Sequence, residues 1–257
     1  MDGRDSAEEL CLHAVSAGFG VLSVTDHYEA NEPDNPDYIH AINVGYEDLR
    51  NLKKSFASHL DVMVGLELGS AIFDVRNAEN VINTREYDII LGSLHGNTDK
   101  NEYHLIDFKN IDVKKTVTAY FDNLLALSKT DYYDVLAHLD YPYKYIKRQN
   151  IDFPVSLFSD VIDEILINIV KKSKALEVNT AGLFERKGKT LNTTLPEPDI
   201  VRRFKEIGGE FVTFGSDAHL AADLGRGWFD ATEIIKASGF KYITYFKNRQ
   251  PVPVLIT

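Results

Sequence analysis

The run Phe211-Val-Thr-Phe-Gly-Ser-Asp-Ala-His219 is a short β-branched and aromatic segment that stops at Gly215 and then delivers Asp217 and His219. Where a chain is extended, residues two apart point to the same side, so this carboxylate and this imidazole are presented together. The same habit recurs elsewhere: Val21-Leu-Ser-Val-Thr-Asp-His27, Val62-Met-Val-Gly-Leu-Glu67, Ile89-Ile-Leu-Gly-Ser-Leu-His95 and Tyr133-Asp-Val-Leu-Ala-His138. Each is an apolar strand that ends in a metal-binding side chain. Five strands with one shared habit define a site.

Helical patterns separate these strands. Ser6-Ala-Glu-Glu9 reads as a capping box, followed by Ala7, Leu10, Cys11, Ala14 and Val15 at helical spacing up to Gly18. A polar loop is expected from Tyr28 to His40, long enough to cover a pocket mouth, then a helix through Tyr46, Leu49, Leu52 and Phe56 and a weaker one near Ala78–Asn83. Asp112 caps a helix carrying Val117, Tyr120, Phe121 and Leu124, and Leu139 to Pro154 reads as a loop. Phe158, Val161, Ile162, Ile165, Leu166 and Ile169 form the strongest stripe, ahead of a strand Ala175–Asn179. Pro198 opens a helix that Gly208-Gly209 ends; Asp230 starts the last one, and Tyr242 to Phe246 closes the pattern as a strand.

About six or seven strands thus alternate with helices, which implies a parallel sheet with helical crossovers. An open doubly wound sheet gathers its ligands at one switch point, whereas here nearly every strand contributes, which favours closure into a barrel. No linker or shift of composition divides the chain, so residues 1–257 read as a single domain. The 44% of hydrophobic residues suffice for a sizeable core, and the single cysteine, Cys11, lies on a helical stripe as packed core rather than nucleophile. One cysteine excludes an internal disulfide and suits a reducing cytosol. With no membrane-length apolar run, the expected location is cytoplasmic. A net charge of −11, from 39 acidic and 28 basic residues, argues against a broad nucleic-acid-binding face. It does not exclude a small anionic substrate, because bound divalent cations invert the local field.

The candidate ligands are His27, Glu67, His95, His138, Asp217 and His219. Mixed nitrogen and oxygen donors suit zinc, manganese or iron rather than calcium, and six exceed what one tetrahedral ion needs. Two or more ions are implied; metals about 3.5–4 Å apart can share a bridging hydroxide and hold phosphoryl oxygens for in-line attack. Glu67, alone at its strand end, is the choice for the bridging carboxylate. A lone histidine after a strand is more often a hydrogen-bonded loop residue than a ligand, and His40, His59 and His104 are read that way. Asp26 points away from its neighbour His27. Glu177 and Asn179 share a side of their strand end, either as partners of the site or as groups that satisfy the rim. Arg186, within a basic run with Lys187 and Lys189, is the first candidate for gripping a phosphate, and Arg226 the second.

Thr-Asp-His27, Gly-Leu-Glu67, Leu-Gly-Ser-Leu-His95, Ala-His138-Leu-Asp, Glu-Val-Asn-Thr180 and Gly-Ser-Asp217-Ala-His219 together resemble the ordered motifs of the polymerase and histidinol phosphatase (PHP) superfamily over nearly the whole chain. The Glu-Val-Asn-Thr-Ala-Gly-Leu stretch looks most like its histidinol-phosphatase branch. The resemblance implies a distorted (β/α)7 TIM-like barrel with three metal ions at the C-terminal strand ends, hydrolysing phosphoesters. The six residues match the family's ligand positions one by one, with Glu67 at its bridging carboxylate. The family's His-x-His pair at the end of its first strand has no match here; Asp2-Gly3 resembles the tail of the following loop, so that first strand is expected to be missing.

The expected function is therefore a metal-dependent phosphomonoesterase of histidine biosynthesis, with two to three divalent ions (zinc, iron or manganese). Asp217, His219 and Glu67 take the catalytic roles, with Asp217 or a nearby histidine protonating the leaving alkoxide. The expected partner is a small phosphorylated substrate, with no nucleic acid, no membrane and a possible homo-oligomer. Competing readings are a phosphotyrosine-protein or nucleotide phosphoesterase on the same scaffold, and a non-catalytic metal-binding module that lacks the His-x-His pair.

Overall fold

The computed structural model describes residues 3–184 and 191–256. Six parallel strands run in sequence order, β1 (Val21–Glu29), β2 (Asp61–Gly69), β3 (Ile89–Ser93), β4 (Val135–Leu136), β5 (Ala175–Asn179) and β6 (Val212–Gly215). They curl into a half-barrel, consistent with the expected distorted TIM-like α/β fold, and β1 and β6 are its edges. The register of β1 on β2 matters for the site: His27 faces Glu67 across the two strands, and Glu29 faces Gly69 two residues on.

The helices lie where the apolar periodicity put them. They are α1 (Ala7–Ser16), α2 (Pro36–His40), α3 (Tyr46–Ser55), α4 (Val75–Asn83), α5 (Val113–Ser128), α6 (Tyr143–Arg148), α7 (Ser159–Lys171), α8 (Pro198–Glu206) and α9 (Trp228–Ala237). The Ser6 capping box forms as read, with Ser6 N–H donating to Glu9 and Glu9 N–H donating to Ser6. One stripe of α5 and one of α7 face each other over the sheet, and Val117, Tyr120, Phe121, Leu124, Ile165, Leu166 and Ile169 are essentially inaccessible to water. Burying a side chain of this size contributes roughly 1.5–3 kcal/mol, so this face alone accounts for a large part of the core.

Four local expectations are corrected. The segment up to His40 is not all loop: Asn35 accepts from the Asp37 N–H and Pro36 opens α2, which continues through a π-helical turn into α3. The Leu139–Pro154 stretch contains α6, started by Pro142. The last helix begins at Trp228, two residues before Asp230, after Gly227 in a left-handed conformation. The last strand, β7 (Tyr242–Lys247), does not extend the parallel ladder but pairs antiparallel with β8 (Gln250–Leu255).

That hairpin seals the N-terminal end of the sheet. Asp88 and Asp134 stand just before β3 and β4, both nearly inaccessible, and each accepts a backbone N–H from the neighbouring strand, Val64 and Ile90 respectively. The hairpin turn meets them from below. Asn248 N–H donates to Asp88, the Arg249 N–H donates to the Asp88 carbonyl, and the Arg249 guanidinium pairs with Asp134. Lys53 completes Asp88, and Lys247 pairs with Asp61 at 2.8 Å. With the bottom closed, the strands' C-terminal ends form the other face, where such folds carry their chemistry.

Candidate metal centre

At that face Glu67, from β2, meets His95 and His138, which follow β3 and β4. Glu67 Oε1 lies 3.1 Å from Nε2 of each histidine, and the two nitrogens are 3.3 Å apart. Donors around a tetrahedral ion with bonds of about 2.0–2.1 Å are separated by about 3.3 Å, so this triangle has the spacing of one face of such a site. His27, Glu67 and His95 each offer a donor atom within 4.8 Å of one another. The buried Nδ1 of His138 has no hydrogen-bond partner, an orphan of the sort that marks functional positions. The donor set and its spacing fit a divalent transition metal.

The charges are arranged accordingly. Burial by itself would raise the Glu67 pKa, but the neighbouring His95 and His138 outweigh it and hold the carboxyl well below the ordinary range. His95 moves the opposite way, since the Glu67 and Glu29 carboxylates overcome its burial and keep a proton on it until a cation replaces that proton. Burial pushes His138 down toward the neutral form, the form that binds metal.

Asp217 and His219 follow β6 on the same face. Asp217 adopts φ of 52° and His138 φ of 23°, conformations that non-glycine residues rarely occupy and that concentrate at functional sites. The His138 turn is fixed from two sides: its N–H donates to Glu177 at 2.8 Å, and Tyr120 donates to the next carbonyl, that of Leu139, at 2.9 Å. Glu177 packs against Gly215, where a Cβ would come within 2.0 Å of its carboxyl. Its burial, with the charges of Glu67 and Asp217, raises its pKa to about 8. Asn179 also reaches that carboxyl, so this pair braces the turn that presents His138 rather than merely filling the rim. His219 donates Nδ1–H to the Asp217 carbonyl at 2.9 Å, which places the lone pair on Nε2.

Two residues at the site escaped the sequence reading. Lys144, on the unexpected helix α6, has a side chain 4% exposed and donates to Asp217 Oδ2 at 3.2 Å. Burial would raise the Asp217 pKa, yet Lys144 first and His219 next bring it below the ordinary value. Glu29, the last residue of β1, places Oε1 2.7 Å from His27 Nε2 and 2.9 Å from His95 Nδ1. It lies two residues beyond His27 and, because β1 persists that far, on the same side. Tyr141 covers His95 and His138 with ring centroids 4.8 and 4.7 Å away, and Tyr38 stacks on His27 at 5.6 Å, so the segment after β1 does lie over the site as expected.

The remaining candidates sort simply. Arg226 pairs with Asp223 at 3.1 Å and lies over the Phe184 ring, on the loop beyond His219. Arg186, with Lys187 and Lys189, lies outside the described residues. His40 is exposed on α2, His59 meets Ser58 and His104 meets Glu102, away from the cluster. Asp26 turns to the helical side and packs where a Cβ of Gly45 would be. A groove of about 830 Å³ lined by Tyr46, Arg50 and Arg85 lies outside the sheet and includes none of these ligands, so chemistry rather than hollow size locates the site.

Strand-end histidines and carboxylates on a curled parallel sheet define a metallohydrolase-type centre. The chain belongs to the PHP domain family, whose pattern matches residues 1–181. It is 30% identical over 249 residues to a protein of Thermotoga maritima named Probable histidinol-phosphatase, covering 94% of this chain and 89% of that one. It is 27% identical over 250 residues to the Clostridium acetobutylicum protein of the same name, covering 96% and 93%. Among solved structures, histidinol phosphate phosphatase from Lactococcus lactis, complexed with zinc, L-histidinol and phosphate, superposes with a TM-score of 0.71 at 22% identity, over 98% of this chain and 94% of that one.

Proposed function

We propose that this protein is a metal-dependent histidinol-phosphatase that hydrolyses L-histidinol phosphate to L-histidinol and phosphate. The Glu67–His95–His138 triangle carries the reading, on a chain whose near-full-length relatives bear that name. Two to three ions of zinc, iron or manganese, when bound, neutralise phosphate oxygens and lower the pKa of water. His27, Glu67, His95, His138, Asp217 and His219 are the residues assigned to hold them. Glu67 stays anionic between two imidazoles, as a carboxylate shared by cations requires. Asp217, kept ionised by Lys144, suits a ligand and not an acid. Protonation of the leaving alkoxide is then assigned to a nearby histidine in the state in which it holds no cation, since a ring bound through one nitrogen and hydrogen-bonded through the other has no proton to give. Arg186 and Arg226 are assigned to the phosphate. No described helix is long and apolar enough to cross a membrane, and the biosynthetic role proposed supports a cytoplasmic location.

The test is phosphate release by metal-reconstituted protein from L-histidinol phosphate, phosphotyrosine and nucleoside monophosphates side by side. Preference for L-histidinol phosphate by at least tenfold in kcat/KM is expected. A preference for either other class, or no uptake of zinc, iron or manganese, overturns the reading.

A further inference from the structure

Glu29 is 5% exposed, and both of its close contacts at the metal centre run through one oxygen. Its place is prepared by the backbone. Its register partner is Gly69, where a Cβ would lie 2.1 Å from Oε1, so any other side chain there would occupy the carboxylate's position. The carboxylate therefore sits between His27 and His95, whose ring centroids are 4.4 Å apart, with Tyr38 stacked behind His27.

A neutral imidazole has one N–H and one lone pair. His95 turns Nε2 toward Glu67 and His138, so a cation held with those two takes the Nε2 lone pair and the proton must sit on Nδ1. That buried N–H needs an acceptor. Glu29 Oε1 stands at 2.9 Å, whereas Ser93 Oγ is at 3.5 Å, the limit of a hydrogen bond. A carboxylate behind a ligating histidine fixes the ring's tautomer and orientation and makes the facing nitrogen a better donor. The same oxygen accepts from His27 Nε2, which puts the His27 lone pair on Nδ1 and ties the two rings together.

We propose that Glu29 is the positioning carboxylate of the metal centre, holding the proton of His95 on Nδ1 and locking His27 beside it. The proposal rests on the metal-dependent reading given above. Glu29 acts through the histidines and is not itself a ligand.

The experiment compares wild type, Glu29→Gln and Glu29→Ala by zinc competition against a chromophoric chelator, and by ¹⁵N imidazole spectra of metal-free and zinc-loaded protein. Wild type should show His95 protonated at Nδ1 in both states. Glu29→Ala should lose that proton signal and bind zinc about 10–100-fold more weakly, the range for removing such a partner. Glu29→Gln retains an acceptor oxygen and should lose less than about 10-fold. Should Glu29→Ala fail to fold, Gly69→Ala displaces the carboxylate without deleting it and should give the same spectral change. Wild-type affinity and an unchanged Nδ1 signal in Glu29→Ala overturn the proposal. So does a Gln variant as weak as the Ala variant, which would make Glu29 a ligand. Failure of wild type to bind any metal sinks the functional reading instead, and the metal-free spectra still judge Glu29.

Discussion

Replacing Lys144 by Met removes the ammonium that faces Asp217 but keeps most of the side chain's volume. The lysine side chain is 4% exposed and the aspartate's 27%, so the pair is buried on one side and wetted on the other. Breaking a buried ion pair from one side costs about 3–5 kcal/mol, and the water still reaching Asp217 places this case at the lower end, about 3 kcal/mol. For a chain of this size that is a fall in Tm of roughly 6–12 °C. The loss should depend on metal. With divalent cations bound, Asp217 has another positive partner, so the penalty should shrink to less than half. The sign with pH follows from the depressed Asp217 pKa: its contribution is present above the ordinary carboxylate pKa and disappears as pH falls through the lower folded value. Thermal unfolding of wild type and Lys144→Met, with chelator and with zinc, at pH 7 and near pH 3, measures all of this. A penalty equal with and without metal would refute the placement of Asp217 among the ligands.

Glu67→Gln keeps the shape but removes the charge proposed to serve two cations; it should abolish metal-dependent hydrolysis and lower metal content by elemental analysis, whereas His40→Asn should change neither. Arg186→Ala should raise KM for the phosphomonoester more than it alters metal content, because the phosphate contact proposed for it would be lost while the ions stay; unchanged kinetics would rule out that assignment. Cys11 is inaccessible and burial raises its thiol to about 11, so an aromatic disulfide reagent at pH 8 should leave native protein unlabelled and label it fully in denaturant.

The candidate ligands were legible because each stands where an apolar run breaks at a polar side chain, and a parallel sheet turns that repeated break into a row of strand ends. Glu29 was not, because Tyr28-Glu-Ala-Asn reads as the start of a loop; only the pairing of β1 with β2 as far as Gly69 shows that the strand persists. Lys144 was hidden by Pro142, taken as a loop residue although a proline before the first turn is compatible with a helix start. Pro251 and Pro253 lie within β8 on a two-stranded ribbon, where missing donors are tolerated. Asn248 and Arg249, both with positive φ, make the tight turn between β7 and β8. Local pattern reports which side chains an element presents; which elements come together is decided by long-range register.

The hairpin at the base gives the order of synthesis a physical meaning. Asp88 and Asp134 are both made more than a hundred residues before Arg249, the cation paired with Asp134. Until the segment carrying Arg249 has left the ribosome, a nascent chain holds the strands β3 and β4 with an acidic group buried at the root of each and without the hairpin cation that pairs with Asp134. Such an intermediate can collapse, but it cannot close its floor. The hairpin is thus the latch, and the floor of the sheet closes only after it has swung beneath the strands.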